Sequence, residues 1–365
     1  MSTKLTKRAF ITILPLIFIF INCSEDKSTN PIDPTKCQMV VYRNGINKLT
    51  IIDYNTYEVV KHINVNIPDT LQFHSMCLST NKDYFIFCAS TGAPPFSNYI
   101  ISYDIVKNSV YNIFPTGLDS VGAPRMTAAF LPDEPGLIYL YTRHVGLYAI
   151  DFLKEEKELI SPEKGMSKDF FHSHDKKWIL MNKYIPCGDY TEIEFYNTSE
   201  RLYQEEFILN KNDQDSLDVV DLVFSKNKTK LYISYLLSKR RAVYDAAFFG
   251  CYDLETKEPD SSYVTLPWSD NPYYIAYSSK RQEVYMVGAQ DKFYIIDVSS
   301  KEYSIEAVID LTGKIPSPSR IVIRPDEDVA FVSCVYTDLV FVIDLENRRI
   351  LKSIQIEHPY FMVLL

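Results

Sequence analysis

Glycine is scarce in this 365-residue chain, with 11 residues, and tryptophan is scarcer, with 2. The first shortage works against motif families built on paired glycines. No G-x-G-x-x-G, phosphate loop or nucleophile elbow is present. Positive charge is also short: 38 Lys and Arg stand against 47 Asp and Glu, a net charge of −9. An acidic exterior repels phosphate backbones and no basic stripe offsets it, which excludes nucleic acid as a partner. Cysteines with metal-site spacing are missing too. Cys37, Cys77, Cys88, Cys187, Cys251 and Cys334 are mostly far apart, several inside apolar patterns such as FIFCAS and FVSCVY. They read as small buried hydrophobes with free thiols, and neither a metal nor a cofactor is expected.

What the chain has in quantity is Tyr and Phe, 27 and 21 residues. Both suit the half-buried pleated surface of a strand, so the composition points to β structure.

The N-terminus reads as an export signal. Lys4, Lys7 and Arg8 precede an apolar run over residues 9–21, interrupted by Thr12 and Pro15. Thirteen residues suit a signal h-region; a transmembrane helix needs about 20. The run ends at Phe20-Ile21-Asn22-Cys23, which resembles the lipobox of bacterial lipoproteins, with Asn22 in place of the usual Gly or Ala. That resemblance implies cleavage after residue 22, diacylation of Cys23 and attachment to the membrane through the lipid. Ser24 resembles the outer-membrane sorting residue and Ser24-Glu25-Asp26 the acidic tract of surface-exported lipoproteins, which implies a place in the cell envelope, as an outer-membrane lipoprotein facing the periplasm or the cell surface. Removing the leader's three cations takes the charge to −12. Residues 23–36 are polar, carry two prolines and read as a flexible tether.

Residues 37–365 carry an internal repeat. An apolar strand ending in Asp or Asn recurs seven times, at Asp53, Asp104, Asp151, Asn197, Asp253, Asp297 and Asp344, 44 to 56 residues apart. The regular position marks turn capping by the side chain, not catalysis. A second strand recurs at 73–79, 125–131, 167–173, 219–225, 272–278 and 318–324, each followed by a polar turn and another strand. The unit is four antiparallel strands, a-b-c-d. Six units are complete. The N-terminal segment supplies b, c and d without a, and HPYFMVLL at 358–365 supplies an a strand with nothing after it. Joined, they make a seventh blade that hides two edges. The expectation is an all-β, seven-bladed β-propeller of four-stranded antiparallel blades. Its ring is closed by N- and C-terminal strands sharing one blade.

The last complete unit, PSRIVIRPDEDVAFVSCVYTDLVFVIDLENRRILKSI, resembles YVTN-type propeller repeats. The glycine usual in the S-P-D-G turn is replaced, as in RPDED, SSKRQ and SHDKK. WD, kelch and sialidase signatures are missing, and two tryptophans are too few for a quinone-cofactor propeller. The resemblance admits lactonase-like hydrolases.

Aligning the inner strands gives two columns. One is apolar throughout (Met76, Ala128, Phe170, Leu222, Ile275, Ile321, Met362) and packs between blades. Its neighbour is mostly polar: Ser75, Thr127, Asp169, Asp221, Tyr274 and Arg320, with Phe361 completing it. Strand alternation turns this second column to the opposite side. It is the candidate ligand-binding ring at the mouth of the central channel. The longest connections, 91–98, 115–123, 161–168, 210–216 and 237–245, gather on that same face, with a cationic cluster at Lys239-Arg240-Arg241. His172 and His174 sit at strand spacing, but His172 falls in an apolar column and reads as core. The expected function is a binding module for a protein, glycan or small ligand. The alternatives are a hydrolytic enzyme with its site at the channel mouth, or an assembly partner in an envelope complex.

Overall fold

The computed structural model describes residues 37–43, 47–68, 70–91, 96–120, 125–128, 134–142, 146–162, 166–172, 177–184, 191–208, 215–239, 243–267, 272–311 and 318–365. The leader, Cys23 and the tether lie outside them, as do His144, His174 and Cys187.

Seven four-stranded antiparallel sheets are present, six running a-b-c-d in chain order. The inner strands are Leu71–Leu78 (blade 2), Arg125–Ala128 (blade 3) and Met166–His172 (blade 4). Asp215–Phe224 (blade 5), Pro272–Ser278 (blade 6) and Pro318–Ile323 (blade 7) follow. Blade 1 is the composite: Pro359–Leu364 pairs with Gln38–Arg43, followed by Lys48–Asp53 and Glu58–Asn64. Each inner strand touches the next, and that of blade 1 touches those of blades 7 and 2, so the ring closes. Leu365 N–H donates to the Gln38 carbonyl at 2.9 Å, and Arg43 pairs with Glu357.

Every repeated Asp or Asn caps its turn. Asp53 Oδ1 accepts the N–H groups of Asn55 and Thr56 at 2.8 and 3.0 Å, and Asn197 Oδ1 those of Ser199 and Glu200. Asp104, Asp151, Asp253, Asp297 and Asp344 do likewise. The glycine-less turns keep the conformation that glycine would favour: Lys82, Lys228, Gln282 and Glu327 have φ of 62°, 60°, 53° and 61°.

The blades pack face to face. Blade 1 presents Phe361 and Leu365 to Phe73, Met76 and Phe87 of blade 2; its Met362 packs against Phe331 and Val342 of blade 7. Both faces of an inner strand are therefore covered by neighbours. Met76, Leu222, Ile275, Ile321 and Met362 of the apolar column pack in clusters between blades, as expected; the side chains of Ala128 and Phe170 lie outside the described residues. Asp221, Tyr274 and Arg320 of the polar column reach the next blade, because a radially stacked sheet turns its edge, not a face, to the axis.

Two expectations change. Several connections read as long loops are extensions of strands: Ser109–Ser120 pairs out to Phe96, and Asp215 pairs with Lys239. Hairpin pairing satisfies backbone groups that a loop of the same length would leave to water. Residues 240–242 lie outside the described residues, so the cationic cluster is not placed. Six inner strands also carry a β-bulge just before the polar-column residue, at positions 74, 168, 220, 273, 319 and 360. Such an extra residue re-aims the side chain that follows.

Candidate functional site

The polar column can be followed blade by blade. In blade 5, Asp221 Oδ1 accepts the N–H of Leu222 at 3.0 Å, and Oδ2 accepts the N–H of Ile275 in blade 6 at 2.8 Å. In blade 6, the Tyr274 ring lies under Arg320 of blade 7, with the guanidinium carbon 4.5 Å from its centre. That guanidinium also lies 5.6 Å from the centre of the Phe361 ring in blade 1. Phe361 is buried and meets Tyr360 edge-on at 4.4 Å. Ser75 of blade 2 is buried, and its hydroxyl has no hydrogen-bond partner among the described residues. Four successive blades, 5, 6, 7 and 1, are thus linked through column residues. Thr127 and Asp169 occupy their expected strands, but their side chains lie outside the described residues.

The column divides by chemistry. Asp221 accepts one oriented backbone donor on each of its two oxygens. Arg320 is half-buried, held between two rings, and no described carboxylate pairs with it. A guanidinium stacked by its faces keeps its N–H donors in the plane, free to bond at the edge.

Among the described residues the histidines and cysteines form no second centre. His62 Nδ1 lies 3.0 Å from Thr50 Oγ1, and burial, with help from Arg43 and Lys48, lowers its pKa. His74 Nε2 lies 2.6 Å from Ser90 Oγ. His172 lies on its strand with its side chain outside the described residues. Cys37, Cys77, Cys88, Cys251 and Cys334 are free thiols; burial raises Cys251 to about 11 and Cys334 to about 12. Among the described residues no group of three or more His, Cys, Asp or Glu could hold a metal.

Reading the sequence missed a cleft of about 720 Å³ on the opposite face. It lies between the a–b turns of blades 5, 6 and 7 and the c–d turn of blade 6, lined by Lys226, Lys230, Ser279, Lys280 and Glu327 among others. Lys230 pairs with Asp260 at 3.6 Å and Lys280 with Asp328 at 2.6 Å, so two of its cations are already neutralised. Only the tertiary arrangement gathers these turn residues, and no sequence spacing signals it.

No family model matches the chain, and no curated protein matches it. Solved structures do. Hydrazine synthase of Kuenenia stuttgartiensis superposes with a TM-score of 0.64 at 14% identity, covering 88% of this chain and 97% of that one. A Bacteroides uniformis protein, provisionally named as a 6-phosphogluconolactonase, gives 0.63 at 12% identity, covering 90% and 99%. A Bacteroides fragilis protein with the same provisional name gives 0.62 at 12%, covering 92% and 99%. The fold is a β-propeller. At these identities the likeness speaks to the fold alone, and the site must be argued from this chain's own residues.

Proposed function

We propose that this chain is an exported, lipid-anchored propeller of the YVTN type that works as a binding module. In this reading residues 1–22 are the signal, Cys23 carries the lipid, residues 23–36 form the tether and 37–365 the propeller. The tether holds the channel mouth away from the membrane of the cell envelope, where it meets a protein, glycan or small ligand. The observation that carries the binding role is the division of labour in the column. Asp221 accepts the N–H groups of Leu222 and Ile275, while Arg320 is held between two rings with no acidic partner among the described residues. A carboxylate engaged by backbone donors is a weaker general base, and an oriented cation is a good recognition group.

Two experiments test this. Cells grown with radiolabelled palmitate should label the wild-type protein and not Cys23→Ser; labelling of both would remove the anchor. The detergent-solubilised full-length protein, screened against glycan and peptide arrays, should give saturable binding that Asp221→Asn leaves intact.

The second reading is a hydrolase, favoured by two structural neighbours provisionally named as 6-phosphogluconolactonases. It requires turnover of sugar lactones above the uncatalysed rate, lost in Asp169→Ala or Asp221→Ala. Such turnover, with no array binding, would replace the binding role.

A further inference from the structure

Seven arginines have described side chains, and six of them lie 3.9 Å or closer to a carboxylate. Arg43 pairs with Glu357, Arg201 with Glu134 and Arg281 with Asp328; Arg324 pairs with Asp326, Arg348 with Glu283 and Arg349 with Asp344. Arg320 is the exception. In a protein with 47 acidic residues, an arginine beside the channel with no carboxylate partner among the described residues is a departure from the chain's own habit.

Arg320 is nevertheless held in place. The bulge at position 319 sets its direction, the Tyr274 ring lies on it at 4.5 Å and the Phe361 ring at 5.6 Å. Both rings lie within cation–π distance of the guanidinium, whose planar fork of N–H donors matches a planar acceptor. Directly opposite on the neighbouring strand stands Ser333, the cross-strand partner of Arg320, so both side chains project from the same face of the sheet. Ser333 is fully buried, and its hydroxyl has no hydrogen-bond partner among the described residues. A buried hydroxyl without a partner costs free energy unless something supplies one.

We infer that Arg320 is the anchor of a monocarboxylate site at the channel end of the seam between blades 7 and 1, with Ser333 as an accessory donor. The inference rests on the binding role proposed above and names its ligand class. The carboxylate of a sugar acid or of a peptide terminus meets the guanidinium edge through two parallel N–H···O bonds. A dianion is disfavoured by the net charge of −9 and by Asp221 two blades away. The rings preset the side chain, so binding loses little rotamer freedom.

The test uses full-length protein in detergent, titrated with sodium gluconate, with glucose as the neutral polyol and inorganic phosphate as the competing oxyanion. Gluconate should bind saturably, weaken as NaCl is raised, and lose at least tenfold in affinity in Arg320→Gln. Arg320→Lys keeps the charge and loses the fork; it should weaken gluconate by a similar factor with an unchanged melting temperature, and it decides the matter if Arg320→Gln fails to fold. Equal binding of gluconate and glucose, or undiminished gluconate binding by Arg320→Lys, overturns the inference. Tighter binding of phosphate than of gluconate overturns the carboxylate assignment. If gluconate fails while an array ligand still binds the wild type, only this inference is lost. If nothing binds and lactones are turned over, the binding role falls with it.

Discussion

The carboxylate of Asp221 accepts the backbone N–H of Ile275 at 2.8 Å, tying a side chain of blade 5 to the main chain of blade 6, 54 residues away. The bond satisfies a donor that the bulged ladder of blade 6 leaves available. Asp221→Ala should therefore cost about 1–3 kcal/mol, the penalty for stranding a buried partner. Asp221→Asn keeps one acceptor oxygen and should cost less. Urea denaturation measures both; equal stability of wild type and Asp221→Ala would show that the seam bond is idle.

Lys82 sits at φ 62° in the a–b turn of blade 2, where an L-residue is strained and glycine is not. Lys82→Gly removes that strain and adds backbone entropy to the unfolded chain. The net expected is a gain of about 0.5 kcal/mol, read as a higher urea midpoint with unchanged slope. A lower midpoint would mean that the turn is not strained.

Ring closure predicts a large effect at the C-terminus. Deleting residues 358–365 strips Gln38–Arg43 of its inner partner and removes the buried side chains of Phe361, Met362 and Leu365. At roughly 1.5–3 kcal/mol for each of the three buried side chains, the loss is about 4.5–9 kcal/mol. The truncated protein should lose its cooperative thermal transition. Met362→Ala, expected to cost about 2–5 kcal/mol, gives the same answer in a milder form. Truncated protein that melts like wild type would rule out the composite blade.

The turn caps make stability depend on pH in a defined direction. The Thr256 N–H holds the Asp253 carboxyl below its ordinary range, a second bond from Glu255 adds to this, and burial opposes it. The folded state thus binds fewer protons than the unfolded state near pH 4. The contribution is fully present above the unfolded pKa of about 3.9 and is lost as pH falls through the lower folded value. Asp253→Asn, the residue type that Asn197 already uses in blade 4, should keep the turn at pH 7 and flatten the acid limb of the stability curve. An unchanged acid limb would count against the cap's role.

Buried thiols should be slow to react. With Cys251 raised to about 11 and Cys334 to about 12, native protein at pH 8 should leave both unmodified by iodoacetamide, while urea-unfolded protein reacts fully. Modification of either in the native state at the unfolded rate would contradict their burial.

The repeat, the capped turns and the composite blade are all legible in the chain. Each is written in local terms: an apolar strand, a terminal Asp or Asn, and two incomplete fragments that complement each other. The polar column is legible as a column, because residues in equivalent positions share a register. Which neighbours its members meet was not. Ser75, Asp221, Tyr274 and Arg320 were read against a channel, and the three with described contacts reach into the seam toward the next blade. Alternation gives two faces but not what covers them, and the six inner-strand bulges shift the pattern at the point that matters.

By itself, then, the sequence determined a closed all-β ring of seven sheets, because strand period and turn chemistry are properties of short segments. Only the tertiary structure decided that Asp221 would bind the main chain of blade 6 and that Arg320 would meet two rings and no carboxylate among the described residues. Those outcomes depend on which groups 41 to 54 residues apart are brought face to face, and hydrogen bonds and ring contacts are short-range forces that exist only once the blades have stacked.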